Sequence, residues 1–330
     1  MPSTTTDLRD RFLGCLLGCA VGDALGAPHE GLWSASIPTE EVLLAGFGQV
    51  EGYPIGQYTD DTQLTVATVE SILEVGDISF PHIARSISRL WKTQSVVGPG
   101  GACTHAATTF LKTGDWTTCG AAEGQAGNGT AMRTAVVGLF FLNAPEQLPA
   151  AVANVSKITH HDMRSIAGGV AIAKAAQLLA TNRADSPETL CEEIAVALEP
   201  YEPSFAEMVK ALPDCLTQDT DQALHRIAWA GMKRPEFNEV IITPFVIPTV
   251  LAALWCLMRH PDSWSKAVAT AIQLGGDVDT LGAIVGALAG TKHGLSAIPR
   301  HLVGSVLDSE KLQTLAALFH ALVVSKSQNQ

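Results

Sequence analysis

The chain has 330 residues, of which 47% are hydrophobic, and it carries a formal net charge of −12. A chain of this length and apolar content can bury a sizeable core, which excludes a largely disordered protein. With 21 basic against 33 acidic residues and no basic run, the composition argues against a general surface for nucleic acid or anionic membranes.

The N-terminal residues, the longest apolar run and the cysteines indicate the compartment in which the protein works. Residues 1–7 have neither the basic stretch nor the leading apolar core of a secretory signal. The longest apolar run, 246–258, is interrupted by Pro248 and is too short to span a bilayer. The seven cysteines include no CxxC pair and are expected to be free, buried and reduced. We therefore expect a soluble, cytoplasmic protein without a membrane partner.

Apolar residues recur with helical spacing along most of the chain, and the only strand signal is a short β-branched patch at 240–242. No linker, low-complexity segment or clear repeat divides the sequence, so residues 1–330 are predicted to form one all-α domain. The predicted helices are 7–25, 62–74, 83–92, 130–142, 145–157, 164–181, 187–198, 204–212, 219–230, 248–259, 263–273, 280–290, 299–307 and 309–324.

Two of these helices, the first and the one at 280–290, carry a glycine at every fourth position. The two sets are Gly14, Gly18 and Gly22, and Gly282, Gly286 and Gly290. Each glycine lowers helix propensity by about 1 kcal/mol relative to alanine, so a compensating close approach to another backbone is expected. The sequence thus predicts that these two helices form a tightly packed central pair.

Two acidic clusters stand at the starts of helices far apart in the chain: Tyr-Thr-Asp-Asp-Thr at 58–62 and Gly-Gly-Asp-Val-Asp-Thr at 275–280. Either one alone is typical of a helix N-cap, which needs a single acceptor oxygen. Together they offer only hard oxygen ligands, which suit Mg²⁺ or Mn²⁺ rather than Zn²⁺. A two-metal site needs about six protein oxygens. The six candidate ligands are Thr59, Asp60, Asp61, Asp277, Asp279 and Thr280.

Three other motifs contain candidate site residues. Glu30 follows a turn that ends the first helix and by composition is typical of a solvated loop acid, whereas Asp23 inside that helix is typical of a buried hydrogen-bonding group. The glycine-rich loop 127–133 offers backbone N–H groups to an anion such as a diphosphate, although a plain turn gives the same pattern. The Thr-His-His-Asp motif at 159–162 has zinc-type ligands, but no cysteine or acidic cluster nearby in the sequence completes such a site.

Taken in chain order, at 22–30, 58–62, 127–133, 159–160 and 275–280, the five motifs resemble those of the ADP-ribosylglycohydrolases, the family of the dinitrogenase reductase-activating glycohydrolase and the ADP-ribosyl-acceptor hydrolases. The resemblance runs from about Arg11 to Gly294. It implies an all-α orthogonal helical fold and a binuclear centre of two Mg²⁺ or Mn²⁺ ions held by the six candidate ligands.

The resemblance also implies roles for single residues. The glutamate of the family's first motif, proposed there to act in catalysis or to gate the site, corresponds to Glu30, which joins Asp60, Asp61 and Asp279 as a catalytic candidate. The positions that line the ADP-ribose cleft correspond to Gly100, Gly127, Asn128, Met132 and His160. The loops at 98–101 and 125–126 lack the aromatic residues of many members, which bears on substrate preference.

The implied reaction is metal-dependent hydrolysis of the C1″ glycosidic bond of an ADP-ribosylated protein or small ADP-ribose derivative, with ADP-ribose as the product. Arginine-linked ADP-ribose is the first expectation, and serine linkages, O-acetyl-ADP-ribose and modified nucleic acid are alternatives, the last disfavoured by the net acidity. Two readings of another class are a non-catalytic ADP-ribose binder similar to the jellyfish crystallins and a metal-dependent phosphoesterase.

Overall fold

The computed structural model describes residues 7–183, 185–232 and 240–327. It is 68% helical and has no strand within those residues, which confirms the all-α prediction. Five short 3₁₀ turns connect some of the helices. The α-helices are α1 (Leu8–Gly26), α2 (Glu40–Ala45), α3 (Asp60–Val75), α4 (Phe80–Lys92), α5 (Gly101–Thr113), α6 (Ala135–Phe140), α7 (Leu148–Lys157), α8 (Met163–Ala180), α9 (Pro187–Leu198), α10 (Pro203–Lys210), α11 (Thr220–Ala228), α12 (Val246–Arg259), α13 (Trp264–Gln273), α14 (Val278–His293), α15 (Arg300–Ser305) and α16 (Ser309–Ser327).

Helices α1 and α14 form the predicted central pair. A Cβ placed on Gly18 would collide with the carbonyl oxygen of Gly286, and one on Gly22 would collide with that of Gly282. Glycine is therefore required for steric reasons, because the two backbones touch with no room for a side chain between them. The pairing runs antiparallel and continues to Gly26, which packs against Val278 at the start of α14.

The other helices surround this pair. Helix α14 also packs against α13, α12 and α8, while α1 packs against α16 and α3. The buried apolar residues along these contacts belong to one hydrophobic cluster. The helical stretch Leu8–His29 is long and apolar enough to cross a membrane, yet 83% of the qualifying window is buried inside the fold. All seven cysteines are free and buried, as predicted.

The structure corrects several predicted elements. The prediction missed α2 and α5; α5 is rich in threonine and begins with glycine, so its propensity is low, although Cys103, Ala106 and Phe110 give it a buried face. The helix predicted at 130–142 is broken into a 3₁₀ turn, Ala131–Arg133, followed by α6. The β-branched patch at 240–242 forms no strand and contributes only an isolated bridge between Ile242 and Gly276.

Candidate active site

The first acidic cluster is held in place by a carboxylate from another helix. Asp23 of α1 is fully buried and accepts hydrogen bonds from the backbone nitrogens of Thr59 (2.9 Å) and Thr62 (3.0 Å). It also accepts from both hydroxyls, at 3.0 Å from Thr59 and 2.6 Å from Thr62. Asp23 thus caps α3 from outside, which satisfies N–H groups that a helix start leaves unpaired. Its interpretation as a buried hydrogen-bonding residue is confirmed.

The second acidic cluster is positioned by a loop that only glycine can form. Gly276 has φ of +90°, and a Cβ there would collide with the carbonyl oxygen of Ile242. Its N–H donates to Leu32 O at 2.9 Å, and its carbonyl accepts from Gly31 N at 2.8 Å. Asp277 N donates to Ile242 O at 2.8 Å. These bonds fasten the segment after Glu30 to the start of α14.

The two clusters and Glu30 meet in one cleft of about 430 Å³. Carboxylate oxygens of Glu30, Asp277 and Asp279 lie within 4.8 Å of one another. The residues predicted for catalysis, metal binding and ADP-ribose binding all line this cleft, apart from Thr59. The Thr59 hydroxyl lies within hydrogen-bonding distance of Asp61 Oδ2, at 3.1 Å, directly beside the lining. The antiparallel packing of α1 and α14 therefore brings the two acidic clusters and Glu30, which are far apart in the sequence, into one cleft.

The buried carboxylates of the cleft repel one another. Burial and then the charge of Asp23 raise the pKa of Asp60 to about 8. Burial and the neighbouring aspartates hold the pKa values of Asp61 and Asp279 well above their usual range. Glu30 shows a smaller upward pKa shift, caused by burial and then by Asp277. A site of this kind favours either protons or cations.

One atom of the cleft fits a cation in particular. Within the described residues, Oδ1 of Asp61 is buried and has no hydrogen-bond partner. An acceptor oxygen buried without a donor is unfavourable unless another group satisfies it. A divalent ion would supply this group, and the surrounding donors are oxygens, which Mg²⁺ and Mn²⁺ prefer. The residues present therefore fit the metal that the family resemblance implies.

The glycine-rich loop contacts the acidic centre through a side chain. Asn128 Nδ2 donates to Asp277 Oδ2 at 2.6 Å and to Thr249 Oγ1 at 3.1 Å. The backbone N–H of Asn128 donates to Pro244 O at 3.0 Å, so this N–H is not free for an anion. Asn128 instead ties the loop to the metal-type cluster and holds one oxygen of Asp277.

The histidine motif divides into a cleft residue and a helix cap. Asp162 caps α8 through Arg164 N at 3.0 Å, and its ion pair with the Arg164 guanidinium at 2.7 Å lowers the pKa of Asp162 to about 2. His160 lies in the cleft wall, where burial and then Arg133 lower its pKa to about 3. Among the described residues, the acidic group suited to a metal is Glu30 with Asp277 and Asp279, and the zinc alternative has no support.

Sequence reasoning missed two parts of the cleft wall. Phe245, the N-cap residue of α12, lines the cleft, and the Arg164 guanidinium lies 5.5 Å from the centre of its ring. Cys103 of α5 also lines it. Phe245 follows a proline in an irregular segment, and no charge or spacing in the sequence marks it. For Cys103 the helical spacing of α5 was the available signal.

A helical fold that buries several carboxylates at one end of a central helix pair, around a cleft of about 430 Å³, is suited to a hydrolase with an acidic centre that can hold cations. Residues 4–328 match the profile of the ADP-ribosylglycohydrolase family, and the chain belongs to this family. It is accordingly an enzyme of the ADP-ribosyl-acceptor glycohydrolase type.

Known relatives are similar over almost the whole chain. The ADP-ribosyl-[dinitrogen reductase] glycohydrolase of Rhodospirillum rubrum is 29% identical over 299 residues, covering 90% of each chain. The ADP-ribosylarginine hydrolase Tri1 of Pseudomonas putida is 27% identical, covering 93% of this chain and 77% of that one. A solved structure titled ADP-ribosylglycohydrolase-related protein complex has a TM-score of 0.71 at 28% identity, covering 96% of this chain and 99% of its own.

Proposed function

We propose that this enzyme hydrolyses the C1″ glycosidic bond between ADP-ribose and an arginine side chain of a protein, releasing ADP-ribose. The observation that carries the proposal is the convergence of both acidic clusters, Glu30 and the 127–133 loop on one cleft. The arginine linkage is supported by the relative from Pseudomonas putida, whose name specifies ADP-ribosylarginine. The relative from Rhodospirillum rubrum is named for a protein acceptor.

The proposed cofactor is a pair of Mg²⁺ or Mn²⁺ ions. The holding residues would be the six predicted ligands, Thr59, Asp60, Asp61, Asp277, Asp279 and Thr280. When bound, such ions neutralise clustered carboxylates and act as Lewis acids toward substrate oxygens and water. A Thr59 hydroxyl that donates its proton to Asp23 keeps lone pairs for a cation, which supports its inclusion although it lies beside the lining.

The chain's own residues then have distinct tasks. Glu30 stands at the mouth of the cleft with a raised pKa, and in the proposed reaction it accepts a proton from the water that attacks C1″. The C1″–N bond breaks as the C1″–O bond forms, and the guanidine leaves with the bonding electron pair. The proton held by Glu30 then passes to the guanidine, which gives the guanidinium side chain and restores the Glu30 carboxylate. The positive charge of an oxocarbenium-like transition state would be stabilised by the carboxylate oxygens that line the cleft.

The experiment that tests this proposal is a panel of ADP-ribose esters and glycosides. The full chain is incubated with arginine-linked, serine-linked and O-acetyl-ADP-ribose, with Mg²⁺, Mn²⁺ or a chelator, and products are separated by chromatography. We expect free ADP-ribose from the arginine-linked substrate and none with chelator. Release from the serine-linked substrate alone would contradict the arginine linkage but not the reaction, whereas release from O-acetyl-ADP-ribose alone would indicate an esterase and contradict both.

Two other outcomes would overturn the function itself. Release of AMP or phosphate would show a phosphoesterase, and tight ADP-ribose binding without cleavage of any substrate would show a non-catalytic binder.

The seven free, buried cysteines support our further proposal that the enzyme works in the cytoplasm. The single hydrophobic cluster supports the proposal that residues 1–330 form one domain.

A further inference from the structure

The imidazole of His160 is held at one nitrogen and open at the other. Nδ1 lies 3.0 Å from the hydroxyl oxygen of Thr159. The Nε2 edge faces the glycine loop, where a Cβ on Gly127 would lie 2.9 Å from Nε2. His160 is part of the cleft lining, and within the described chain no hydrogen bond from protein reaches Nε2. Nε2 is thus the atom through which the ring can bind a ligand.

Which nitrogen carries the proton depends on the Thr159 hydroxyl. Its oxygen accepts a hydrogen bond from Arg133 Nη2 at 2.8 Å, which occupies one lone pair. Its single proton has two possible acceptors, His160 Nδ1 at 3.0 Å and Ser156 O at 3.4 Å. The second distance is long for a hydroxyl donor, so donation to Nδ1 is favoured. An unprotonated Nδ1 leaves the proton of a neutral ring on Nε2.

The charge of Arg133 favours the same arrangement. Its guanidinium is fully buried, and it also donates to Gly129 O and, at 3.1 Å, to Val155 O. Because the positively charged guanidinium of Arg133 donates a hydrogen bond to the Thr159 hydroxyl oxygen, it polarises the hydroxyl and makes its proton a better donor to Nδ1. The opposite tautomer would aim an Nδ1–H at an oxygen already bound to this cation, which is electrostatically unfavourable.

We propose that Arg133 and Thr159 are positioning residues that fix His160 as the Nε2–H tautomer, a neutral donor aimed into the cleft at an acceptor oxygen of the ADP-ribosyl group. The proposal rests on the proposed function in one respect, the identity of the ligand as an ADP-ribosyl group. Burial and Arg133 keep the pKa of His160 near 3, so the ring stays neutral at physiological pH. A neutral donor binds a phosphate or hydroxyl oxygen without adding a positive charge to the loop.

The test uses the full chain labelled with ¹⁵N at histidine, with ADP-ribose as the probe. Long-range ¹H–¹⁵N spectra show which imidazole nitrogen carries the proton, and calorimetry gives the affinity for ADP-ribose. The variants are Thr159→Val, which keeps the side-chain shape, and Thr159→Ser, which restores the hydroxyl. The control is Thr68→Val, since Thr68 is fully buried and, among the described residues, its hydroxyl donates to the α3 backbone at Leu64 O and not to the cleft.

We expect the proton on Nε2 in the wild type and in Thr159→Ser. In Thr159→Val, Nδ1 signals of both tautomers should appear and the affinity should fall about tenfold, the worth of one hydrogen bond. Thr68→Val should lower thermal stability without moving either readout. A wild-type proton on Nδ1, or unchanged tautomer and affinity in Thr159→Val, would overturn the proposal.

Failure of the tautomer assignment can be told apart from failure of the proposed function. If the wild type does not bind ADP-ribose, the function is wrong, while the spectra still decide which nitrogen is protonated. If the wild type binds and cleaves ADP-ribosyl substrates but the proton is on Nδ1, the positioning role is wrong and the function stands.

Discussion

Helices α1 and α14 have two regions with opposite demands, a glycine-lined middle and an acidic end. In the middle, glycines at four-residue spacing let the two backbones touch, and each helix satisfies its own hydrogen bonds. At the end, burial and the charges of neighbouring carboxylates raise the pKa of Asp279 in α14. The same helix pair thus gains stability in one region and loses it in the other, which is common where a site serves chemistry rather than folding.

The largest effect is expected where the glycine region is broken. Gly18→Leu places a branched side chain against the carbonyl oxygen of Gly286, so the central helices must separate. We expect a loss of more than about 3 kcal/mol in the free energy of unfolding, with most of the protein insoluble. Urea denaturation and soluble yield measure it.

A glycine with open space around it supplies the control. A Cβ on Gly304 in α15 would meet no heavy atom within 4 Å, so Gly304→Leu should keep its soluble yield and gain slightly in helix propensity. If Gly18→Leu and Gly304→Leu lowered soluble yield and stability equally, the close approach of α1 and α14 would not be the reason for glycine at position 18.

In the acidic region a substitution should have the opposite effect on stability. Asp279→Asn removes one repelling charge, so we expect hydrolysis to fall by about 10²–10³-fold or more while the metal-free protein becomes more stable by about 1 kcal/mol. Initial rates and urea denaturation measure these two quantities. Wild-type turnover by this variant would remove Asp279 from the catalytic centre.

The matched control is an aspartate on the protein surface, outside the cleft. Asp77 pairs with Lys326 at 3.0 Å on the surface, and Asp77→Asn should change stability by less than about 1 kcal/mol without altering the rate. This separates the loss of any negative charge from the loss of one in the cleft.

A smaller effect is expected at Asp23, which lies where the two regions meet. Asp23→Asn offers one acceptor oxygen in place of two to the N–H and hydroxyl groups of Thr59 and Thr62. We expect a loss of about 1–2 kcal/mol in stability and a reduced rate, because Asp60 and Asp61 depend on this cap.

An ordinary helix cap gives the reference for that variant. Ser186 caps α9 by accepting from Thr189 N at 3.2 Å, so Ser186→Ala should lower stability by about 1 kcal/mol and leave the rate unchanged. If Asp23→Asn behaved like Ser186→Ala in both assays, the capping of α3 would matter for folding but not for the site.

The last prediction concerns the pH dependence of the metal-free protein. Asp60 has a folded pKa of about 8, against about 3.9 in an unfolded chain, so the folded state binds more protons between these values. Stability is therefore greatest below pH of about 4 from this group and is lost as pH rises through about 8. Melting temperatures at pH 5 and pH 8 should show the fall, and Mg²⁺ or Mn²⁺ should reduce it.

The sequence alone was sufficient for the elements with regular patterns. The glycine spacing predicted the central pair, and the threonine and aspartate clusters predicted where α3 and α14 begin to within two residues. The break in the helix predicted at 130–142 was not foreseeable, because Arg133, at the break, is bonded to Val155 and Thr159, and the sequence does not show these contacts between separate segments. Helix α5 was missed because its propensity is low and its burial comes from packing.

What the sequence determined by itself was the inventory: an all-helical chain of one family, with two clusters of hard oxygen ligands and a glycine-rich loop. Such features are local, so composition and spacing carry them. Only the tertiary structure decided that Asp23 caps α3, that Asn128 holds Asp277, that Phe245 lines the cleft and that Thr159 stands between Arg133 and His160. Apart from the contact of Thr159 with its neighbour His160, these features bring together segments that are distant in the chain, so spacing along the sequence does not reveal them.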